Sequence, residues 1–134
     1  MSIEEMADNF AVLDEWEDRY KYLIDLGNSL PSMDESLKTE ATRVRGCMSQ
    51  VWLRLGWDDE GKLTILADSD AQIVKGLIAV LVAMFAGATA DEAASLDVEK
   101  TFQRLGLDQH LSPNRRNGFF SMVEAVRAFT SRRT

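Results

Sequence analysis

At 134 residues the chain has the length of one domain, enough to bury about two thirds of the surface its unfolded form exposes, so a single domain over 1–134 with one core is expected. An apolar fraction of 46% beside 28% charged residues excludes a disordered tail and a membrane-embedded class. The formal charge of -7 opposes phosphate backbones, and with no basic stripe interleaved with aromatics the composition argues against nucleic-acid binding.

The N-terminus, MSIEEMADNF, is acidic and carries neither a basic start nor a cleavable apolar stretch, which places the protein in the cytoplasm as an expectation. Ser2 with Glu5 fits a capping box, and Met6, Phe10, Leu13, Trp16, Tyr20, Leu23 and Ile24 recur at helical spacing. One or two helices therefore end near Gly27. Residues 28–38 hold Pro31, several serines and acidic residues without a period, and read as a loop.

From Thr42 the pattern alternates: TRVRG, then QVWLRLGW after Cys47, then the turn-rich DDEGK and LTILAD. This predicts a small three-stranded antiparallel sheet, with Cys47 between its first two strands and a tight hairpin at residues 58–61. Ser69 with Gln72 reads as a capping box for the apolar helix QIVKGLIAVLVAMFA, which Gly87 closes. The apolar run 76–88 is far shorter than the about 20 residues a helix needs to cross a bilayer, so it predicts a central core helix. Thr89 with Glu92 starts another capped segment, Asp97 a short helix closing at Gly106, and Ser112 followed by Pro113 the last helix. Along that helix Phe119, Met122, Val123, Val126 and Phe129 form one apolar face. The predicted class is α+β, with helices packed on one face of the sheet.

A single cysteine excludes an internal disulfide and any Cys-rich zinc or cluster site built from this chain alone. Cys47 is either a small core residue or, following Gly46 at a strand-to-strand connection, a thiol that another molecule can approach. A working thiol needs a cation or N–H groups nearby, since its ordinary pKa of about 8.5 leaves little thiolate at neutral pH; Arg45, Arg115 and His110 are the candidates. Arginines gather at Arg43, Arg45, Arg54, Arg115, Arg116, Arg132 and Arg133, a local positive patch suited to an acidic protein partner. Arg115 and Arg116 occupy the first turn of the last helix, where the macrodipole disfavours cations, and are either a solvated pair or a site for a thiolate, persulfide or partner carboxylate. Asp68, Ser69 and Asp70 sit where a strand ends and a helix starts, the place for capping. A Cys47–His110 hydrolase lacks a third, orienting group. Trp52, Trp57 and the methionines fit core periods, and Lys75 and Lys100 have no phosphate cradle for a pyridoxal cofactor.

Three blocks, RVRGCMSQVWL (43–53), ADSDAQIVKGLIAVL (67–81) and LDQHLSPNRRNGF (107–119), in this order and at these separations, resemble the signature segments of the SufE family. The resemblance implies a two-layer fold related to the scaffold proteins of iron–sulfur assembly. It also implies a sulfur carrier and activator rather than a stand-alone enzyme, with Cys47 as persulfide acceptor and Arg115 as the functional arginine. Gly46, Arg45, Ser49, Gln50, Asp68, Asp70 and His110 are implied in support or partner docking, while Met48 departs from the glutamine often found after the cysteine. The implied partners are a SufS-like group II cysteine desulfurase, which holds its own pyridoxal phosphate, and a scaffold complex of the SufBCD type. No cofactor beyond the covalently carried sulfur is implied, and the carrier is expected as a monomer or homodimer. An iron–sulfur scaffold, or a paralogous carrier feeding another pathway, is the alternative. The expected resting state shelters the sulfur in an apolar pocket between the strands and the last helix.

Overall fold

The computed structural model describes residues 2–47, 49–109 and 111–133. Helix α1 (Ile3–Ala11) starts where the Ser2 hydroxyl accepts the Glu5 N–H, and its buried Met6 and Phe10 lie one turn apart on the inner face. A short break precedes α2 (Trp16–Asn28), whose Leu23, Leu26 and Gly27 are buried. The N-terminal region is thus two helices. A single 3₁₀ turn, Glu35–Leu37, interrupts the loop that follows.

Strands β1 (Val51–Trp57) and β2 (Leu63–Ser69) pair antiparallel in register from Val51 opposite Ser69 to Trp57 opposite Leu63. The hairpin closes as predicted: the Asp58 carboxylate accepts the N–H groups of Glu60 and Lys62, both at 2.9 Å, and Gly61 takes φ +74°. Among the described residues the sheet has two strands, not the three expected. The TRVRG segment contributes one isolated bridge, Arg43 opposite Trp52, fixed by Leu53 N–H to the Thr42 carbonyl at 2.8 Å and Val44 N–H to the Val51 carbonyl at 2.9 Å. Its alternation is real, but the turn at Thr39–Thr42 on one side and Gly46 at φ +84° on the other leave too few extended residues for a ladder.

Helix α3 (Gln72–Phe85) is the central helix, with Ile73, Leu77, Ile78, Val80, Leu81 and Phe85 all buried. It packs on α2, on β2 and on α6 (Pro113–Ser131). Its contact with α2 is backbone to backbone: a Cβ on Gly27 would stand 2.6 Å from the Gly76 nitrogen, and one on Gly76 would fall on the Leu23 carbonyl. The predicted capping box at its start is absent. Ala71 is the N-cap, and the Ser69 hydroxyl instead donates to the Gln50 carbonyl at 2.7 Å while accepting the Ala71 N–H at 3.2 Å. Gly87, at φ +83°, ends the helix and ties it back to β2 through the Leu63 carbonyl. Short helices α4 (Ala90–Ser95) and α5 (Val98–Arg104) are capped by Thr89 with Glu92 and by Asp97, and Ser112 caps α6, all as read from the sequence.

Val51, Leu53, Leu63 and Ala67 turn inward from the two strands to meet Leu77, Phe85, Phe119, Met122 and Val126, so the helices cover one face of the sheet. The other face carries Arg54, Thr64 and Leu66, and Lys38 lies over the Trp52 ring at 5.1 Å. No described helix is long and apolar enough to cross a membrane.

Candidate functional site

The connection from the Arg43 bridge to β1 is pinned at both ends. On the near side stands the Val44–Val51 hydrogen bond. On the far side Gln50 is clasped by the start of the α3 connection: its carbonyl accepts from the Ser69 hydroxyl at 2.7 Å and from Asp70 N–H at 3.3 Å, and its N–H donates to the Asp70 carboxylate at 3.0 Å. Between these anchors the φ of +84° requires glycine at Gly46, and a Cβ there would also lie 2.7 Å from the Ser121 hydroxyl of α6, which would have to turn aside. The backbone thereby presses against α6 and delivers Cys47 to it.

Cys47 is half-buried, and its thiol donates to the Gly118 carbonyl at 3.5 Å. Gly118 lies inside α6, where glycine costs about 1 kcal/mol relative to alanine. Its missing side chain leaves the backbone bare beside the sulfur, since a Cβ there would be 3.6 Å from Sγ. The thiol opens on a cavity of about 380 Å³, with apolar walls from Val74 and Leu77 of α3 and Phe119 and Met122 of α6. Its polar lining comes from Ser49, Ser112, Asn114 and Arg115. The expected shelter between strands and last helix is therefore corrected: α3 and α6 form the walls, and no described strand residue lines the space.

Burial pushes the Cys47 thiol up from its ordinary pKa, and the Arg43 guanidinium partly opposes this. The cation felt by the thiol is thus Arg43, whose Nε is buried with no hydrogen-bond partner among the described residues. Sequence reading placed Arg43 in the arginine patch but not beside the thiol. Arg43 and Arg45 share the same side of an alternating segment, and only the fold separates them. Arg45 is exposed and pairs with Glu40 at 2.9 Å, away from the cavity.

Of the two arginines that start α6, Arg115 lines the cavity and stacks over Tyr20, its guanidinium carbon 5.4 Å from the ring centroid. Arg116 points elsewhere, to Glu99 at 3.1 Å and to the Phe120 ring at 4.9 Å. Asp68 does not reach the site. It lies between Lys38 at 3.0 Å and Lys75 at 3.4 Å. Burial would raise its pKa, but the hydrogen bonds from Lys38 and Ser69 N–H and the charge of Lys75 hold it below the ordinary value. Asp70 and Gln50 act on the loop through the backbone clasp, and Ser49 lines the cavity directly. His110 and Met48 lie outside the described residues. Sequence reading missed Gly118, Val74, Leu77, Ser112 and Asn114 as site residues; a glycine inside a helix was the one local signal, for Gly118.

Residues 4–130 match the family described as "SufE: Fe-S metabolism associated domain". An uncharacterised SufE-like protein of Rhizobium meliloti is 44% identical over 130 residues, covering 95% of this chain and 93% of its own. Another from Rhizobium etli is 43% identical over 129 residues, covering 94% and 87%. In fold, the chain is similar to the solution structure of a hypothetical protein from Thermus thermophilus, with a TM-score of 0.77 at 18% identity and coverage of 98% and 97%.

Proposed function

The chain belongs to the SufE family, and from that premise we propose that it is a sulfur carrier: Cys47 accepts the outer sulfur of a persulfide held by a cysteine desulfurase and passes it on for iron–sulfur cluster assembly. The observation that carries this reading is the placement of the single cysteine, half-buried on a loop pinned at both ends and facing a cavity with Arg115 at its edge.

In the transfer, the Cys47 thiolate attacks the outer sulfur of the donor persulfide. The new bond forms at Sγ, the donor S–S bond breaks, and the donor cysteine leaves as a thiolate, so no oxidant or reductant is consumed. At rest the thiol is held in its neutral form by burial and by its hydrogen bond to Gly118, which protects it from oxidation and keeps it slow. The partner's docking releases that restraint by moving the loop. The donor is a SufS-like group II desulfurase carrying its own pyridoxal phosphate, and the acceptor is a scaffold complex of the SufBCD type; Arg115 acts on the thiolate or on the partner.

Incubation with a group II desulfurase and cysteine, followed by mass spectrometry, tests this. One added sulfur on the peptide that holds Cys47, absent in Cys47→Ser, is the expected result. An unmodified peptide while the desulfurase turns over contradicts the reading. Alkylation of Cys47 at the same rate with and without the desulfurase removes the docking-release step.

A further inference from the structure

The cavity is much larger than its proposed cargo. One sulfur atom occupies a volume similar to the roughly 30 Å³ share of a water molecule, whereas the space beside Cys47 measures about 380 Å³. That volume falls within the range of about 300–1,000 Å³ typical of small-molecule sites, as does a mainly apolar wall with a few convergent polar groups.

Arg115 supplies a second, independent observation. Like several other arginines it meets no carboxylate among the described residues, but unlike its neighbour Arg116, which pairs with Glu99, it lines the cavity. Its stack on Tyr20 leaves its N–H groups available to an anion. An apolar chamber with a thiol in its wall and an unmatched guanidinium in its lining fits a short aliphatic chain with sulfur at one end and a carboxylate at the other.

We propose that this cavity binds low-molecular-weight persulfides bearing a carboxylate, of which cysteine persulfide is the simplest, and that Cys47 takes their outer sulfur with no protein donor present. The inference rests on the reading of Cys47 as a sulfur carrier and adds a class of donor to it. The Cys47 thiol gives up its proton and attacks the outer sulfur of R–S–SH. The bond from that sulfur to R–S breaks as the bond to Sγ forms, and R–S⁻ leaves and takes up the proton. Electrons balance without a further reagent.

Two synthetic donors isolate the carboxylate, the persulfides of 3-mercaptopropionate and of the neutral 3-mercaptopropan-1-ol, offered at equal low concentration to the whole protein. The rate of gain of one sulfur at Cys47 is read by mass spectrometry. A charge-assisted contact predicts about tenfold faster loading by the carboxylate donor. The ratio falls to about one in Arg115→Gln and partly survives in Arg115→Lys. Because it compares two donors on one protein, it is insensitive to any change in thiol reactivity caused by the substitution.

Equal rates on the native protein overturn the proposal, as does a preference that persists in Arg115→Gln. So does addition of the whole R–S group in place of one sulfur. Loading by a desulfurase but by neither synthetic donor leaves the carrier reading in place and assigns the cavity to a segment of the partner. Loading by none of the three removes the carrier reading and this proposal together.

Discussion

Replacing Gly118 by alanine is expected to make the protein more stable and a poorer sulfur acceptor. Gly118 is buried inside α6, so the substitution recovers about 1 kcal/mol of helix propensity. The new methyl meets the Cys47 sulfur at 3.6 Å, an ordinary van der Waals contact rather than a clash. For a domain of this size, that gain corresponds to a rise in Tm of about 3–5 °C. The outer sulfur of a persulfide, however, sits about 2.05 Å beyond Sγ, and the methyl occupies one of the directions in which it can extend. Forcing the side chain off its preferred rotamer costs about 0.5–1.5 kcal/mol, or about two- to tenfold in loading rate. Thermal unfolding by circular dichroism reads the first effect, and the initial rate of sulfur gain from a desulfurase reads the second. A fall in Tm would refute the packing argument. An unchanged loading rate would show that the carried sulfur does not use the space beside Gly118.

Because burial raises the Cys47 pKa, alkylation by iodoacetamide reaches half its maximal rate at a higher pH in the folded than in the unfolded protein, and coincident profiles contradict this. The native thiol holds its proton more tightly than the unfolded one. Its contribution to stability is therefore full below the unfolded pKa and lost as pH rises through the folded value, and Cys47→Ser flattens that alkaline limb in urea titrations. Asp68→Asn removes a charge shared by Lys38 and Lys75 and is expected to cost about 1–3 kcal/mol at neutral pH, a partly buried case between surface and core pairs. Since the native Asp68 pKa is lowered, that difference is present above the unfolded carboxylate pKa and shrinks as pH falls through the native value; an equal difference in acid excludes the ion pairs as its cause. Gly76→Ala drives a methyl into the Leu23 backbone, and overpacking outweighs the helix gain by about 1–2 kcal/mol, measured by urea unfolding. Asp70→Ala removes the acceptor for Gln50 N–H, so Cys47 alkylation accelerates while the far-UV spectrum stays the same; an unchanged rate means the clasp does not restrain the loop.

Where a side chain acts on its own neighbourhood, the sequence was informative. Thr89 with Glu92, Asp97 and Ser112 cap helices because capping is settled within three residues, and the apolar breadth of residues 72–85 has no solution except burial. The site was legible only in part. Gly46 before Cys47 marked a turn, but that the turn faces α6 depends on a contact across 71 residues of chain. The third strand failed for the reverse reason: alternation specifies which way side chains point, whereas a ladder also needs length, and TRVRG is bounded too closely by turns. Ser69 misled because its hydroxyl serves the strand end instead of the helix: it donates to the Gln50 carbonyl brought near by the β1–β2 pairing and accepts the Ala71 N–H, and the helix starts two residues later, with Ala71 as N-cap.

The Ser69 hydroxyl bears on how the Cys47 loop is held. Its O–H supplies the shortest anchor at the end of that loop, the 2.7 Å bond to the Gln50 carbonyl. With it, and with Val44 bound to Val51, the connection that carries Cys47 is fixed on both sides. On the carrier reading, this restriction matters because the empty and loaded forms of Cys47 differ chemically. A thiol can donate to the Gly118 carbonyl, whereas an ionised terminal sulfur cannot and is repelled by the same oxygen. The loaded side chain therefore gives up its bond to the Gly118 carbonyl and keeps its terminal sulfur in the cavity that Gly118 and Arg115 line, while the clasp at Gln50 keeps the backbone in place. With the backbone fixed at two points, a change at the sulfur alone is enough to change what Cys47 presents.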